Sequence, residues 1–388
     1  MRKAFRKLLS DKAQKILKVQ NRKTNTQMNL IKAYAIIAVV ASHTLNGGIV
    51  FPLDNWIQPY FYFMPIFVFV SGYFYRKETD NSSVIKYLGQ KAKIMLLPYF
   101  LWNVVYGILN AILREIGVVH YGSAINLKSL FITPWITGHQ FAFMIPAWFL
   151  LSLFIISVVI FILRKILCKL HILNEELLLI FCFGVSIITI YLAESGHNQN
   201  WELCFAKAGF MLPYFQMGFV YKKYEKLINK RKGITLSILF VLLYICYVLG
   251  DGNERAQVVF ANFVGNPFLI SALVVIEILI VSTICESLVP AFDNNKIVQY
   301  IGDNTFSIMM HHAVVIFLIN FALYILSKFI DIASFNVEKF QSTIWYCYPW
   351  RDDRIYLIYV VLGIAVPLVL KKVTDKIVMN LYEKQKIE

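Results

Sequence analysis

Charged side chains are scarce in this 388-residue chain: 16% of positions, where a soluble globular domain carries about 25%. The deficit, with 58% hydrophobic residues and a mean hydropathy of +0.61, excludes an ordinary water-soluble domain. Paired cysteines are also missing. Six cysteines are scattered singly and no C-x-x-C occurs, so neither a zinc site nor a disulfide framework is indicated. The sequence opens on a basic polar stretch and not on a short apolar run with a cleavage site, so no removable signal peptide is expected. No internal repeat is visible, which weighs against an inverted-repeat transporter.

What is present is a series of long apolar segments. Ten are read as spans, near 28–46, 56–75, 94–113, 146–163, 177–193, 203–221, 234–250, 262–284, 304–327 and 355–371. The expected fold is an all-α integral membrane bundle of about ten transmembrane helices, covering residues 28–372. Residues 1–27 form a preceding basic segment, and 373–388 a tail. Within 1–27, Phe5, Leu8, Leu9, Ile16 and Leu17 alternate with lysines and arginines at near-helical spacing. That pattern suits an amphipathic helix on an anionic leaflet, or a solvated basic tail. With both termini cytoplasmic, 29 Lys and Arg fall inside and 7 outside, as the positive-inside bias requires. The net charge of +15 is thereby explained by topology, without nucleic acid as a partner.

The first span holds two ionisable residues, Lys32 and His43. Eleven steps at about 100° each return His43 to within roughly 20° of Lys32, about 16 Å along the axis. One helix face thus carries a cation near the inner surface and an imidazole near the outer one. Ionisable groups inside a span are costly and mark functional sites by default. A snorkelling role for Lys32 would leave the phased His43 unexplained.

From these residues onward the chain resembles acyltransferase family 3. Lys32-x10-His43 is similar to its R/K-x10-H signature. F-V-F-V-S-G-Y (67–73) looks like its F-x-x-S-G-[YF], K-A-K-I-M-L-L-P-Y (91–99) like its basic L-P-Y entry, and P-A-W-F-L (146–150) like its W-F-L. L-P-Y-F-Q-M-G-F-V (212–220) is similar to its F-x-x-G pattern. I-G-D-N-T-F-S-I-M-M-H-H (301–312) is similar to its I-G-x-x-[ST]-x-x-[IL]-x-x-x-H. Among subgroups, the fucose 4-O-acetylase-like proteins look nearest.

The resemblance implies a multi-pass plasma-membrane enzyme. It would move an acyl group, usually acetyl, from cytoplasmic acyl-CoA (acetyl-CoA as co-substrate) to an extracytoplasmic polysaccharide or lipid-linked glycan. His43 would be the catalytic base or acyl carrier, with His311 as the family's second histidine. Lys32, Arg76, Lys91 and Lys93 would hold the anionic donor, and no metal is implied. Two departures are expected to matter: Lys at 32, where Arg with its bidentate fork is commoner, and acceptor chemistry expected in the bundle or on a separate protein, where some members carry an esterase-like domain after the last span.

Other readings stay open. Of the adjacent His311 and His312, about 100° apart on a helix, at most one can face the Lys32–His43 surface, and either can be a core histidine. Glu277 can orient a partner or pair with Lys207; Ser71 and Gly72 can serve close packing. Trp148 suits packing or the interface. The aromatic, charged outer loop 328–354 suits an interfacial belt or a carbohydrate-facing surface. A glycan exporter and a regulatory protein with a degenerate site are the rival functions.

Overall fold

A computed structural model of the protein describes residues 25–44, 59–348 and 356–387, with parts of 9–17. The helices are α1 (Thr26–Thr44), α2 (Pro59–Tyr73), α3 (Val84–Glu115), α4 (Trp148–Lys169), α5 (Glu175–Glu194), α6 (Asn200–Lys230) and α7 (Lys232–Leu249). After these come α8 (Pro267–Phe292), α9 (Lys296–Asp303), α10 (Thr305–Leu326), α11 (Val337–Ser342) and α12 (Tyr356–Ile387). The chain is an all-α integral membrane protein, with eight described helices long and apolar enough to cross a bilayer. The apolar part of α2, Phe61–Tyr73, is shorter. One small departure from all-α is an antiparallel pair, β1 (Arg255–Gln257) and β2 (Asn262–Val264), between α7 and α8.

α1 falls short of the apolarity of those eight because it carries Asn29, Lys32 and His43. It is sheltered from lipid by protein: α2, α8, α9, α10 and α12 all pack on it. Its start is fixed by Asn25, whose side-chain oxygen accepts the Met28 N–H at 2.9 Å, an N-cap bond that satisfies one orphan donor. Gln27 then donates to the Tyr221 hydroxyl (2.9 Å) and the Ser282 carbonyl (3.0 Å), tying this end to α6 and α8.

Glycines set how closely the helices approach. A Cβ on Gly72 would lie 1.8 Å from the Phe215 carbonyl oxygen, and one on Gly218 1.9 Å from that of Phe69. The S-G-Y and F-x-x-G motifs are thus two halves of one backbone-to-backbone contact between α2 and α6. In α3 the helix widens into a π-bulge at Ala92–Leu96, ahead of Pro98, whose ring displaces the preceding turn.

The opposite end of α4 is organised around Arg164, which is 1% exposed. Its guanidinium donates to Asp80 (Nη2, 3.0 Å) and Glu175 (Nη1, 2.5 Å) and lies 4.4 Å over the Phe219 ring. Lys165 donates to the Asp80 and Ser82 carbonyls. Counted as a loop cation by charge bias, Arg164 instead clamps the α2–α3 link to α4, α5 and α6.

Both terminal segments are helical in their described parts. The tail from 373 continues α12 as helix to Ile387, and 32 residues extend about 48 Å, more than the ~30 Å hydrocarbon core. Leu9 and Ala13 are buried against Val378, with Ile16, Met379 and Tyr382 around them. Of the apolar residues assigned to a lipid leaflet, Leu9 and Ile16 therefore pack on α12, while Leu17 is exposed. Phe5, Leu8 and most of the basic residues of 1–27 lie outside the described residues.

Candidate active site

His43 stands in the last turn of α1 and retains partial exposure. Its Nδ1 lies 2.9 Å from Nε2 of His312, which is fully buried on α10. The two rings are nearly coplanar (5°) and meet edge to edge. Gly363 of α12 leaves room for this meeting, since a Cβ there would sit 3.0 Å from Val40 and 3.8 Å from the His312 Cβ.

Hydrogen bonding dictates the tautomers. Nδ1 of His312 is 2.9 Å from the Ile308 carbonyl, one turn back on its own helix. A carbonyl can only accept, so His312 donates from Nδ1 and presents Nε2 as an acceptor. His43 consequently donates from Nδ1 and keeps its lone pair on Nε2. The exposed member of the pair is thus oriented as a base by the buried one, the arrangement a general base or nucleophile needs.

Of the adjacent histidines, His312 reaches His43 and His311 does not. His311 Nδ1 bonds the Tyr106 hydroxyl at 2.5 Å, and its ring meets Trp102 edge-on at 4.5 Å. Assigning the motif histidine to 311 is corrected by counting: I-G-x-x-T-x-x-I-x-x-x-H, begun at Ile301, ends on His312. Trp345, absent from the sequence candidates, stacks on the His43 ring with centroids 4.3 Å apart and 23° between planes. It belongs to the loop after α10, and its ring covers one face of the imidazole. The loop after α3 is joined to the segment after α10: His120 N–H donates to the Gln341 carbonyl (2.8 Å), and Gln341 to that of Gly117 (3.0 Å).

At the other end of the α1 face, the Lys32 ammonium lies 3.4 Å from the Asp303 carboxylate, with both groups part-exposed. Such a pair adds about 0–1 kcal/mol, so it positions Lys32 more than it stabilises the fold. Asp303 ends α9, and the neighbouring Gly302 makes the approach possible. A Cβ there would meet the Asn29 carbonyl oxygen at 2.5 Å.

Of the remaining expected donor residues, Lys91 precedes the π-bulge of α3, Lys93 lies within it and Arg76 stands in the link before α3. Lys91 lies 5.6 Å over the Tyr87 ring, while Lys93 and Arg76 are less enclosed. These three belong to α3 and the link before it, whereas Lys32 belongs to α1. Lys207 donates to the Thr137 carbonyl (3.1 Å) and lies over Trp148 (4.8 Å). Trp148 therefore packs against a buried cation, and Lys207 meets a carbonyl and an indole, so of the two readings of Glu277 the pairing with Lys207 is not the one seen. In the loop between α3 and α4, His139 meets Phe260 edge-on, and burial and the nearby Lys207 charge lower its pKa to about 4. His197 pairs with Glu202 at 3.0 Å on the exposed surface. Among the described residues, no three His, Cys, Asp or Glu side chains gather in a metal-binding arrangement.

Comparison with known proteins bears on what such a site does. A family model described as an acyltransferase domain, that of acyltransferase family 3, matches residues 25–371, from the start of α1 into α12. No curated protein and no solved structure matches the chain. A match over most of the length, taking in every element that carries the paired histidines, settles the family: the chain belongs to acyltransferase family 3 and is an integral membrane acyltransferase.

Proposed function

We propose that the protein transfers an acyl group, acetyl in the simplest case, from cytoplasmic acyl-CoA to a hydroxyl of an extracytoplasmic glycan or its lipid-linked precursor. The single observation that carries this reading is the His43–His312 pair at one end of a helix face whose other end holds Lys32. In the plasma membrane with both termini cytoplasmic, as the 29-to-7 division of basic residues favours, Lys32 lies toward the donor and His43 toward the acceptor.

The donor is polyanionic. Arg76, Lys91 and Lys93 form a basic rim for its phosphates, and Lys32 serves the path of the pantetheine arm in exchange for Asp303. At the outer end, His43 Nε2 takes the proton of the acceptor hydroxyl as its oxygen attacks the thioester carbonyl. The C–O bond forms, the C–S bond breaks, and the departing thiolate leaves as the thiol with the proton His43 returns. His312 holds the imidazole in the tautomer this requires. If His43 first accepts the acyl group itself, Nε2 is again the reacting atom.

The test is transfer of labelled acetyl from acetyl-CoA to surface glycan by the purified protein in lipid nanodiscs. Base-labile label in the glycan, dependent on the protein, is expected. Absence of ester across a panel of acyl donors and glycans would overturn the reading.

A further inference from the structure

Among the described residues, no carboxylate partners the base to stabilise its charged form. When His43 takes a proton, a positive charge develops on its ring, yet the group bonded to Nδ1 is the neutral imidazole of His312 and not a carboxylate. His312 stays a neutral acceptor and brings no negative charge: its Nδ1–H is donated to the Ile308 carbonyl, which leaves Nε2 as the acceptor. No ion pair between His43 and an acidic side chain occurs among the described residues. A ring in contact with the imidazole lowers the cost of the imidazolium.

The group in contact is Trp345. Its ring lies face to face with His43 at 4.3 Å, inside the range of cation–π attraction, and indole has the strongest aromatic quadrupole for that purpose. The attraction is weak while His43 is neutral and grows as the charge develops. It therefore favours the transition state over the ground state, which is what acceleration requires.

The loop is built to hold this ring still. Asn320, buried on α10, donates to the Tyr346 carbonyl at 2.7 Å, and Tyr359 of α12 donates to the Asn320 side-chain oxygen at 2.7 Å. The Tyr359 oxygen in turn accepts the Tyr348 N–H at 3.1 Å. Tyr346 accepts the Asn336 N–H at 2.9 Å, and the Tyr348 hydroxyl bonds the Ala333 carbonyl. Thr343 Oγ1 accepts the Trp345 N–H itself at 3.2 Å. Side chains from two helices thus fix the backbone on the C-terminal side of Trp345, and Thr343 holds its own amide.

We infer that Trp345 is a positioning residue for the transfer reaction: pinned by Asn320 and Tyr359, it covers one face of His43 and stabilises the imidazolium formed during catalysis. The inference rests on His43 being the base proposed above.

The experiment compares wild type, Trp345→Phe and Trp345→Leu as full-length protein in nanodiscs, with two readouts. In acetyl transfer, Trp345→Leu is expected to lower kcat about tenfold with little change in acceptor KM, while Trp345→Phe keeps most of kcat. Tyr359→Phe, remote from the imidazole, is expected to lower kcat in the same sense and by less. An acceptor KM raised severalfold in Trp345→Leu with kcat unchanged would make the ring a sugar platform and overturn the inference; so would equal kcat in Phe and Leu variants. The second readout is the rate at which diethyl pyrocarbonate modifies His43, followed by peptide mass spectrometry, which needs no acyl transfer. Trp345→Leu should react severalfold faster than wild type and Trp345→Phe close to it. Equal rates in all three would remove Trp345 from His43 whatever the enzyme's acceptor proves to be. Faster labelling of Trp345→Leu in a protein that transfers nothing would overturn the transfer reading and leave the contact standing.

Discussion

Gly302 seats against the Asn29 carbonyl so closely that α9 touches α1 backbone to backbone, and this contact delivers Asp303 to Lys32. The glycine of the I-G-D-N stretch therefore sets where the counter-ion of the α1 lysine stands. A side chain at 302 must push α9 outward.

Gly302→Leu should consequently separate Asp303 from Lys32 and disturb the donor end of the α1 face. The expected outcome is a severalfold rise in the apparent KM for acyl-CoA, larger than any fall in kcat, since donor binding is shared by ground and transition states. Gly184→Ala, on α5 where a Cβ would meet nothing within 4 Å, is the control and should leave both constants unchanged. Steady-state kinetics with varied donor decides between them.

The two adjacent histidines of α10 should behave differently. His312→Ala removes the acceptor that orients His43 and is expected to cost on the order of 10²-fold in kcat. His311→Gln touches Tyr106 and Trp102 instead and should cost a few-fold at most. A reversed order would return the catalytic role to His311.

Much of this was open to reading from the sequence, and the failures share a cause. Helical phase alone places Lys32 and His43 on one face, and the S-G-Y and F-x-x-G motifs name the glycines that join α2 to α6. The partner of His43 is 269 positions away and that of Lys32 is 271. Periodicity describes the face of one helix and says nothing of which other face meets it. Trp345 was visible as one of several aromatic residues in an outer loop, but only the Asn320 and Tyr359 anchors single it out. Arg164 misled for the converse reason: charge bias treats every cation at a helix end as solvated, and this one is buried between two carboxylates.

That burial gives a stability prediction. Asp80→Asn leaves Arg164 with one carboxylate partner in a site closed to water. Removing one member of a buried pair costs about 3–5 kcal/mol. A clear loss of thermal stability in detergent is expected, measured by tryptophan fluorescence on heating. An unchanged transition would show that the cluster is wetter than its geometry implies.

The orientation can be tested by chemistry on intact cells. Native Cys347 is unsuitable because it is buried at 2% exposure. Ala124→Cys and Asn294→Cys place thiols at exposed positions in the first outer loop and the α8–α9 link. A membrane-impermeant maleimide should label the first and spare the second until the membrane is opened. The opposite pattern would invert the topology and put the donor on the wrong side of His43.

The central claim is that His43 performs the chemistry, and the most direct measurement is acetyl transfer by His43→Ala, normalised to inserted protein, with acyl-CoA binding followed in parallel. His43 is at the end of its helix and part-exposed, so truncation costs little packing compared with a mid-core cavity. Loss of a general base costs about 10²–10⁴-fold, and more if the residue also carries the acyl group. Retained donor binding with transfer reduced at least about a hundredfold is the result this account predicts. Near-normal transfer by well-folded His43→Ala would contradict it.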